Sequence, residues 1–367
     1  MRIGLNLLFL IPTKVGGSET FVRALVGALE KYDRENTYIL FCNKENHLTF
    51  KPSGNIQTVE VPISASNKIL RIIYEQILFP IFIRKYNLDV LHSLGYISPF
   101  WLPVKSIVNI IDLNWYYHPE DFGLVERLVW KFMVVNSAKY SNAITTISKS
   151  SKKSLKKILH IKKPIEVIYM GEPTLENPDS KNDLIKKGIK FPYLFSLTSA
   201  HPHKNVLGLL MIFKMVVDKG SNLNLVIAGL GGRNEGKIRK FIEFNSLSGR
   251  VKILGYVSDS TMSTLFKYAK AFVFTSMYEG FGIPILESFH YGTPVISSNA
   301  FSLKEVVGDG GIQLNPNDYG AFLNEIIKLS TNQMYYRKLS SMSKMRSTHF
   351  DWKNEVNKLK LFYKKVL

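Results

Sequence analysis

The chain has 367 residues, of which 46% are hydrophobic and 21% charged, and its formal net charge is +19. This composition is typical of a globular protein large enough for two hydrophobic cores, and it argues against a disordered or fibrous chain. A single cysteine excludes an intramolecular disulfide, and no apolar run approaches the roughly 18 residues that span a bilayer, so a soluble or peripheral protein is expected.

Short β-branched and apolar segments alternate with longer amphipathic segments along the whole chain. The first half is predicted to contain the strands RIGLNLLF, TYILFC, NIQTVEV, DVLHSL, SIVNII, NAITTIS and IEVIYM. The second half is predicted to contain YLFSLT, NLVIAG, VKILGY, AFVFTS and TPVISS. Helices are predicted between them, notably over residues 19–32, 68–85 and 205–219, the last ending at Gly220. This alternation predicts parallel sheets with helices on both faces.

Residues 173–190 interrupt the alternation, because prolines and polar residues leave no clear apolar period before a strand resumes at Phe191. We interpret this stretch as a linker between a first domain, residues 1–172, and a second domain that begins at residue 191. The expected fold class is α/β, with two doubly wound, Rossmann-like domains facing a central cleft. Ligands of such sheets bind beyond the carboxyl ends of the strands.

One lysine cluster stands out from a basic excess that is spread over both halves of the chain. Residues 149–163 read KSSKKSLKKILHIKK, with seven lysines in fifteen residues. A solvated helix face, an anionic membrane surface and nucleic acid are the three interpretations of such a run. The cluster lacks interleaved aromatic residues, and the chain has no zinc-finger or RNA-binding motif, so no nucleic-acid partner is expected.

The densest motif is MYEGFGIPILESFHYGTPVIS, residues 277–297, which follows a predicted strand. Glu279 is expected at the carboxyl end of that strand. Gly280 and Gly282 let backbone N–H groups approach a ligand, and the helix N-terminus behind them favours negative charge. Glu287, about one turn into the helix, is placed to accept hydrogen bonds from a hydroxylated ligand. This order suits a sugar joined to a ribose through phosphates, although a tight turn with a helix-capping Glu is the plainer alternative.

The whole run resembles the signature of the retaining family 4 glycosyltransferases, E-G-F-G-x-P-x-x-E followed by a G-T-P-V turn. Shorter resemblances follow the family's order over roughly residues 2–330: GGSE at 16–19, DVLHS at 89–93, HPEDF at 118–122, KN at 204–205, AG at 228–229, GYVSD at 255–259 and LKEVVGDGG at 303–311. The resemblance implies the GT-B fold. In that fold residues 1–172 would face the acceptor, residues 191–345 would bind the nucleotide sugar, and a helix over residues 346–367 would return to the first domain.

The resemblance also implies a role for each matching residue. Glu287 would hold the ribose hydroxyls, and Glu279 and the amides after it would face the sugar and the diphosphate. Lys204 would neutralise the diphosphate and stabilise the departing nucleotide, unless it is an ordinary surface lysine. The donor-site residues predicted in this way are Gly16, Gly17, Lys204, Gly229, Tyr256, Val257, Glu279, Gly280, Phe281, Gly282, Ile283 and Glu287.

The chain departs from the family pattern at two places. Where the family commonly has H-D-L, this chain has Ile111, Asp112 and Leu113, so the histidine expected near the transferred sugar is absent. Asp112 joins Lys204 and Glu279 as predicted catalytic residues, and His92 and His118 are assigned to the acceptor side, with a structural role as the alternative. The arginine that the family has before the lysine is also absent, since Ser199 and His203 stand at the corresponding positions.

The implied reaction moves a hexosyl group from a nucleotide sugar to a hydroxyl of a glycan or lipid-linked oligosaccharide, in cell-surface polysaccharide synthesis. GDP-mannose is the first candidate donor, and UDP- or dTDP-linked sugars are alternatives. Neither a cofactor nor a metal is expected, because the chain has no D-x-D motif and His201 and His203 lack a third ligand nearby. A nucleotide-sugar epimerase of the same fold and a non-catalytic nucleotide-sugar-binding protein are the rival hypotheses.

The basic residues Lys68, Arg71, Arg84 and Lys85 flank apolar helical segments in the first domain. Together with the cluster at residues 149–163 they predict docking on an anionic membrane. The expected location is therefore cytoplasmic, peripheral to the inner face of the membrane.

Overall fold

The computed structural model describes residues 1–14, 16–173, 175–232 and 234–367. The chain divides into two compact units. The first consists of Met1–Gly171 and Asp351–Leu367, and the second of Glu172–Phe350. Each unit is built on one parallel sheet with helices between successive strands, so the predicted α/β class with two doubly wound sheets is confirmed.

The first unit contains a seven-stranded sheet in the order β3-β2-β1-β4-β5-β6-β7. Its strands are β1 (Arg2–Asn6), β2 (Thr37–Cys42), β3 (Ile56–Glu60), β4 (Val90–Ser93), β5 (Lys105–Asn109), β6 (Ala143–Thr146) and β7 (Ile165–Val167). Its helices are α1 (Gly17–Tyr32), α2 (Lys68–Ile77), α3 (Phe79–Phe82), α4 (Asn114–Tyr117), α5 (Leu124–Tyr140) and α6 (Lys149–Ile158). The central strands are buried on both faces, which explains their unbroken apolar sequences.

The last helix of the chain, α15 (Trp352–Val366), packs within the first unit, as the resemblance implied. The ring of Trp352 lies 6.0 Å from that of Phe21 in α1. Trp352 also covers Gly171, where an added Cβ would come within 2.4 Å of the indole. This close approach requires glycine at the end of the first segment.

The second unit contains a six-stranded sheet in the order β10-β9-β8-β11-β12-β13. Its strands are β8 (Tyr193–Leu197), β9 (Asn224–Ala228), β10 (Val251–Ile253), β11 (Ala271–Phe274), β12 (Val295–Ser298) and β13 (Ile312–Leu314). Its helices are α7 (Lys181–Lys186), α8 (Val206–Asp218), α9 (Glu235–Phe244), α10 (Asp259–Tyr268), α11 (Ile283–His290), α12 (Leu303–Val307), α13 (Tyr319–Thr331) and α14 (Gln333–Ser347).

In each sheet all strands are parallel, but the order in which successive strands are added reverses at one point. In the first unit the reversal lies between β1 and β4, and in the second it lies between β8 and β11. Loops that leave the carboxyl ends of two such strands diverge and open a crevice between them. The loops after β8 and β11 are therefore the first place to look for a ligand site in the second unit.

Three local predictions differ from the structure. The helix predicted over residues 68–85 is divided into α2, α3 and a 3-10 helix (Ile83–Tyr86), with Pro80 at the start of α3. The predicted linker over residues 173–190 contains α7, whose start is fixed by a capping box between Ser180 and Asp183; Thr174 lies outside the described residues. Strand β13 was not predicted, because three residues give no readable period.

Candidate active site

Lys204 and Glu279 lie in contact at the point where the strand order of the second sheet reverses, between β8 and β11. Lys204 ends a 3-10 helix (Pro202–Lys204) in the loop after β8, and Glu279 lies in the loop after β11. The Lys204 Nζ atom donates a hydrogen bond of 2.7 Å to Glu279 Oε1, and both side chains are half-buried. The two side chains thus neutralise each other's charge.

Asn205 locks the two loops together behind this ion pair. Its backbone is left-handed, with φ 53°, and its side-chain amide donates to the carbonyl of Thr275 at 3.3 Å. Thr275 Oγ1 donates back to the Asn205 carbonyl at 3.2 Å, and the Met277 amide donates to the His203 carbonyl at 2.7 Å. The sequence analysis quoted Asn205 only as part of the KN pair, whereas the structure gives it a positioning role.

The loop that carries Glu279 is held from the side of α12. Ser302 Oγ donates to the carbonyls of Glu279 and Phe281 at 2.6 and 3.1 Å. Gly282, the residue before α11, has φ 107°, and a Cβ there would lie 2.8 Å from the Leu303 side chain. Glycine is therefore required at this turn. No sequence signal pointed to Ser302, because its role depends on tertiary contact.

The turn delivers the N-terminus of α11 to the same side as the ion pair. Ile283 is the first residue of the helix and a proline is the second, as predicted from the motif. The N–H groups of a first helical turn have no intrahelical acceptor, so they favour an anionic ligand. The amides that follow Glu279 are hence suited to phosphate oxygens.

Glu287 is the most unusual carboxyl group of the second unit. Its Oε2 atom is buried and has no hydrogen-bond partner among the residues that the structure describes. Burial, with the negative charge of Asp259 as a second cause, raises the pKa of Glu287 to about 7. A buried carboxylate oxygen without a donor is costly and rare in a structural position. The unpartnered oxygen therefore makes Glu287 a candidate to accept a hydrogen bond from a ligand.

The loops after β9 and β10 complete the same edge of the sheet. Gly229 has φ 74°, and its amide donates to the Gly255 carbonyl at 3.2 Å. Tyr256 is 83% exposed and Val257 is half-buried. The left-handed backbone of Gly229 therefore allows its amide to join the two loops. The ring of Tyr256 is exposed to solvent.

The remaining predicted donor-site residues lie in the first unit. Gly16 precedes α1 with φ 59°, and Gly17 is the first residue of that helix. Glu19 orders the approach to the helix, since it accepts hydrogen bonds from the Thr13 amide and from Arg23 Nε, each at 2.8 Å. The structure thus places both glycines at the turn that begins α1, and their phosphate role stays a prediction.

Asp112 and His118 also lie in the first unit, beyond the end of β5. Asp112 Oδ1 accepts hydrogen bonds of 3.2 Å from the Tyr96 hydroxyl and from the Asn114 amide. The Nδ1 atom of His118 lies 2.9 Å from Glu120 Oε1. Both side chains are half-buried and engaged with neighbours.

His92 belongs to the core rather than to a binding surface. It is 1% exposed, and its two ring nitrogens lie 2.8 Å from the Tyr363 and Thr145 hydroxyls. Burial lowers the pKa of His92 to about 3. Both nitrogens are occupied, so the acceptor-side assignment of His92 is replaced by a structural one that ties α15 to β4 and β6.

Two of the cations assigned to membrane docking interact with groups of the protein itself. Arg71 is only 8% exposed, beside the buried Glu75. Lys163 donates to the carbonyls of Lys139 and Ser141 at the end of α5, and burial lowers its pKa. All seven lysines of residues 149–163 are exposed or half-buried on and after α6.

Neither metal ligation nor a membrane span is visible in the described part of the chain. No group of three His, Cys, Asp or Glu side chains is arranged to hold a metal ion there. The rings of His201 and His203 stack with centroids 5.8 Å apart. Among the described helices, none has the length and hydropathy needed to cross a bilayer.

Two family profiles match the chain in consecutive segments. The profile described as Glycosyltransferase Family 4 matches residues 15–173, and that described as Glycosyl transferases group 1 matches residues 179–346. Together the two segments cover most of both units. The chain belongs to the group 1 glycosyltransferases of family 4.

Curated relatives and solved structures agree with this family. O-antigen chain mannosyltransferase B of Escherichia coli is 32% identical over 44% of this chain and 43% of its own length. O-antigen chain mannosyltransferase RfbU of Salmonella typhimurium is 29% identical over 58% of each chain. The matches therefore span about half the length of these relatives.

The structural relatives cover the whole chain at low identity. Sucrose-phosphate synthase from Thermosynechococcus elongatus has a TM-score of 0.78 and 16% identity, over 100% of this chain and 99% of its own. HepE of Anabaena, solved with UDP and glucose, has a TM-score of 0.74 and 17% identity, over the full length of both chains. At such identities the likeness establishes the GT-B fold alone.

Proposed function

We propose that the protein is a retaining glycosyltransferase that moves a hexosyl group from a nucleotide sugar to a hydroxyl of a glycan in polysaccharide synthesis. The observation that carries this proposal is the Lys204–Glu279 ion pair at the reversal of the second sheet, on the same strand edge as α11 with the unpartnered Glu287 Oε2 atom. Family membership supports the reaction class.

Each group of this edge matches one part of a nucleotide sugar. The buried Oε2 atom of Glu287 has no hydrogen-bond donor among the described groups. Ribose hydroxyls can donate hydrogen bonds to such an oxygen. A diphosphate carries negative charge, which the ammonium of Lys204 and the first amides of α11 favour. Glu279 then turns from Lys204 toward the hydroxyls of the transferred sugar. The exposed ring of Tyr256 offers a face for the nucleobase.

The step that we propose is a front-face substitution. The acceptor oxygen forms a bond to the anomeric carbon while the bond from that carbon to the diphosphate oxygen breaks, and the acceptor's proton passes to the leaving diphosphate. Lys204 and the loop amides stabilise the charge that develops on the leaving group. A double displacement requires a nucleophilic carboxylate at the anomeric carbon, and in this proposal Glu279 binds the sugar hydroxyls instead. The step relies on positioning more than on acid–base groups, and no metal is assigned to it.

The relatives narrow the choice of substrates. Several are named O-antigen or serotype-specific mannosyltransferases, so we take GDP-mannose as the first donor to test and a lipid-linked oligosaccharide as the first acceptor. HepE was solved with UDP and glucose, which keeps UDP-linked sugars among the alternatives. We place the reaction at the inner face of the membrane, where a lipid-linked acceptor would be available to a peripheral enzyme.

The experiment is a transfer assay with a matched lysine control. The purified protein is incubated with GDP-, UDP- or dTDP-sugars and a lipid-linked oligosaccharide, and nucleotide release and product mass are followed. Lys204→Ala is expected to lower kcat/KM by about 100-fold or more. Lys214→Ala removes a lysine of a surface pair that is also 2.7 Å long, with Asp218, and is expected to leave turnover unchanged.

The rival functions give other outcomes in the same assay. An epimerase would release or isomerise the sugar without an acceptor. A non-catalytic binding protein would bind the donor and transfer nothing to any acceptor. Equal activity of Lys204→Ala and Lys214→Ala would remove Lys204 from the reaction.

A further inference from the structure

Helix α2 has its polar and apolar sides reversed relative to a normal surface helix. Its buried residues are Arg71 and Glu75, which face inward. Its large apolar residues face solvent, namely Ile69, Leu70, Ile73 and Ile77. A surface helix normally directs its apolar stripe at the core. The exposed stripe of α2 therefore indicates an interaction with a partner outside the unit.

Buried hydrogen bonds fix this orientation. Glu75 Oε1 accepts a hydrogen bond of 2.5 Å from the Asn6 side chain, which also donates to Ser93 Oγ at 3.3 Å. Gln76 donates to the Ser98 carbonyl at 3.2 Å and accepts from the Phe100 amide at 3.0 Å. A rotation that buried the apolar stripe would break the hydrogen bonds of Glu75 and Gln76, so the fold holds the stripe in solvent.

Helix α5 extends the apolar surface. Its first half exposes Leu124, Val125, Leu128, Val129 and Phe132, and Val125 is 75% exposed. We call the exposed apolar residues of α2 and α5, with Trp101 between the helices, the α2/α5 face. Monomeric proteins rarely leave so many large apolar side chains in water on neighbouring elements.

Three contacts join the two helices into one surface. Lys68 Nζ lies 4.0 Å from Glu126 Oε1, across the starts of the helices. Ser137 of α5 exchanges hydrogen bonds with Ser98, the loop residue that Gln76 of α2 also binds. The rings of Phe100 and Phe132 lie 6.1 Å apart.

The exposed charges around the α2/α5 face are predominantly positive. Exposed cations are found at Lys68, Arg84, Lys85, Lys131 and Lys139. Of the two acidic residues on α2 and α5, Glu75 is buried and Glu126 is paired with Lys68. A second copy of a chain with a net charge of +19 would be repelled by this rim. An anionic surface is attracted to it.

The aromatic residues at the border fit a membrane interface. The guanidinium of Arg84 lies 5.3 Å from the ring centre of Trp101, and Lys139 Nζ lies 5.2 Å from that of Tyr140. Amphipathic rings with adjacent cations favour the headgroup level of a bilayer.

We propose that the α2/α5 face inserts its apolar side chains into the headgroup and acyl boundary of an anionic bilayer, with the surrounding lysines and arginines at the phosphates. The occupant is the lipid bilayer itself. Insertion of apolar side chains distinguishes this mode from docking by the lysine cluster alone. The proposal stands apart from the transfer reaction, because binding needs neither donor nor acceptor.

The test is vesicle flotation of the protein without nucleotide. Vesicles of phosphatidylcholine alone are compared with vesicles that contain phosphatidylglycerol, at low and at high salt. The wild-type protein is expected to float with the anionic vesicles and to keep part of its binding at high salt, where purely electrostatic docking is lost. The double variant Ile73→Glu/Leu128→Glu is expected to lower the partition coefficient about tenfold or more.

A matched control and a second readout keep the test decisive. Phe244→Glu changes an apolar residue of the second unit that is 90% exposed, and it is expected to float like the wild type. Trp101 emission in the wild-type protein is expected to shift to shorter wavelength on anionic vesicles, an effect that Trp101→Phe removes. This readout does not depend on how the glutamate variants fold.

Several results would overturn the proposal. They are no flotation of the wild type, equal flotation of the double variant, and no shift of Trp101 emission on vesicles that bind the protein. A wild-type dimer in light scattering that the double variant abolishes, without vesicle binding, would assign the α2/α5 face to a second copy.

Discussion

Lys204 and Glu279 are 75 positions apart in the chain, and their charged atoms lie 2.7 Å apart at the carboxyl edge of the second sheet. The loops that carry them are locked by hydrogen bonds of Asn205 and Thr275. The two side chains therefore neutralise each other in a rigid setting. In the function that we propose, a diphosphate that binds Lys204 would compete with Glu279 for it, so we expect the ion pair to influence both the affinity for the donor and the position of the sugar.

Glu279→Gln should separate binding from chemistry. The change removes the anion that competes for Lys204 and repels the diphosphate, so we expect nucleoside diphosphates to bind about 3- to 10-fold more tightly. We expect transfer to fall by about tenfold or more, because the sugar loses an oriented carboxylate. Calorimetric titration with the free diphosphate and a transfer assay give the two values. Weaker diphosphate binding by the variant would show that Glu279 does not oppose the phosphates.

Glu287→Gln should weaken donor binding and increase the stability of the folded protein at high pH. Burial raises the pKa of Glu287 to about 7, above that of an exposed glutamate, so the folded protein holds this proton more tightly than the unfolded chain does. The ionised carboxylate therefore destabilises the fold as pH rises from about 4.5 to about 7. We expect Glu287→Gln to raise the free energy of unfolding at pH 8 by on the order of 2 kcal/mol, with little effect at pH 4.5.

If Glu287 holds the ribose as proposed, the same titration should also change the affinity for the donor. Ribose hydroxyls donate to the ionised carboxylate, so wild-type affinity for a nucleoside diphosphate should increase as pH rises through about 7, with proton release. Melting curves at pH 4.5 and 8 and titrations in buffers of different ionisation enthalpy measure both effects. A pH-independent affinity would argue against a ribose contact at Glu287.

His92→Ala should damage stability and spare acceptor use. The change leaves the Tyr363 hydroxyl without its His92 partner and removes one of the two hydrogen bonds of Thr145 Oγ1, which also donates to Asn109 at 3.1 Å, so we expect a loss of about 2 to 4 kcal/mol. The KM for the acceptor should stay unchanged at a temperature where the variant is folded. His118→Ala is the control, since its half-buried pair with Glu120 contributes about 1 kcal/mol or less.

The pH dependence of stability gives an independent check of His92. Burial lowers its pKa to about 3, so at pH values between about 3 and 6.5 the unfolded chain binds a proton that the folded protein does not. Stability should therefore fall as pH decreases below about 6.5. A mildly destabilised His92→Ala protein whose acceptor KM rises strongly would restore the acceptor-side assignment.

Gly282→Ala tests the turn before α11. The residue has φ 107°, and the added Cβ would lie 2.8 Å from Leu303 Cδ2, so we expect a loss of about 1 to 3 kcal/mol and weaker nucleotide binding. Gly249→Ala is the matched control, because a Cβ there meets nothing within 4 Å. Thermal melting and titration of both variants measure the effects. Equal behaviour of the two would mean that the turn tolerates a side chain.

The sequence predicted the parts of the fold that depend on local pattern. The strands that flank Lys204 and Glu279 have long apolar runs, and the glycine and proline of the α11 turn have a fixed order, so both were readable. Contacts between distant segments were not. The orientation of Arg71, the capping of α5 by Lys163 and the hydrogen bonds of His92 depend on which face of an element meets the core, and a single sequence does not specify this for polar residues.

The most direct test of the donor site is a titration of the wild-type protein and Glu287→Ala with GDP, UDP, dTDP and their sugar conjugates, in the presence of EDTA. A ligand at 100 times its dissociation constant should add about 2.7 kcal/mol to the free energy of unfolding, visible as a higher Tm. The account predicts stabilisation of the wild type by one nucleotide family and a clear loss of that stabilisation in Glu287→Ala. If no nucleotide stabilises the wild type, or if the variant responds equally, Glu287 and the ion pair of Lys204 with Glu279 do not form a donor site.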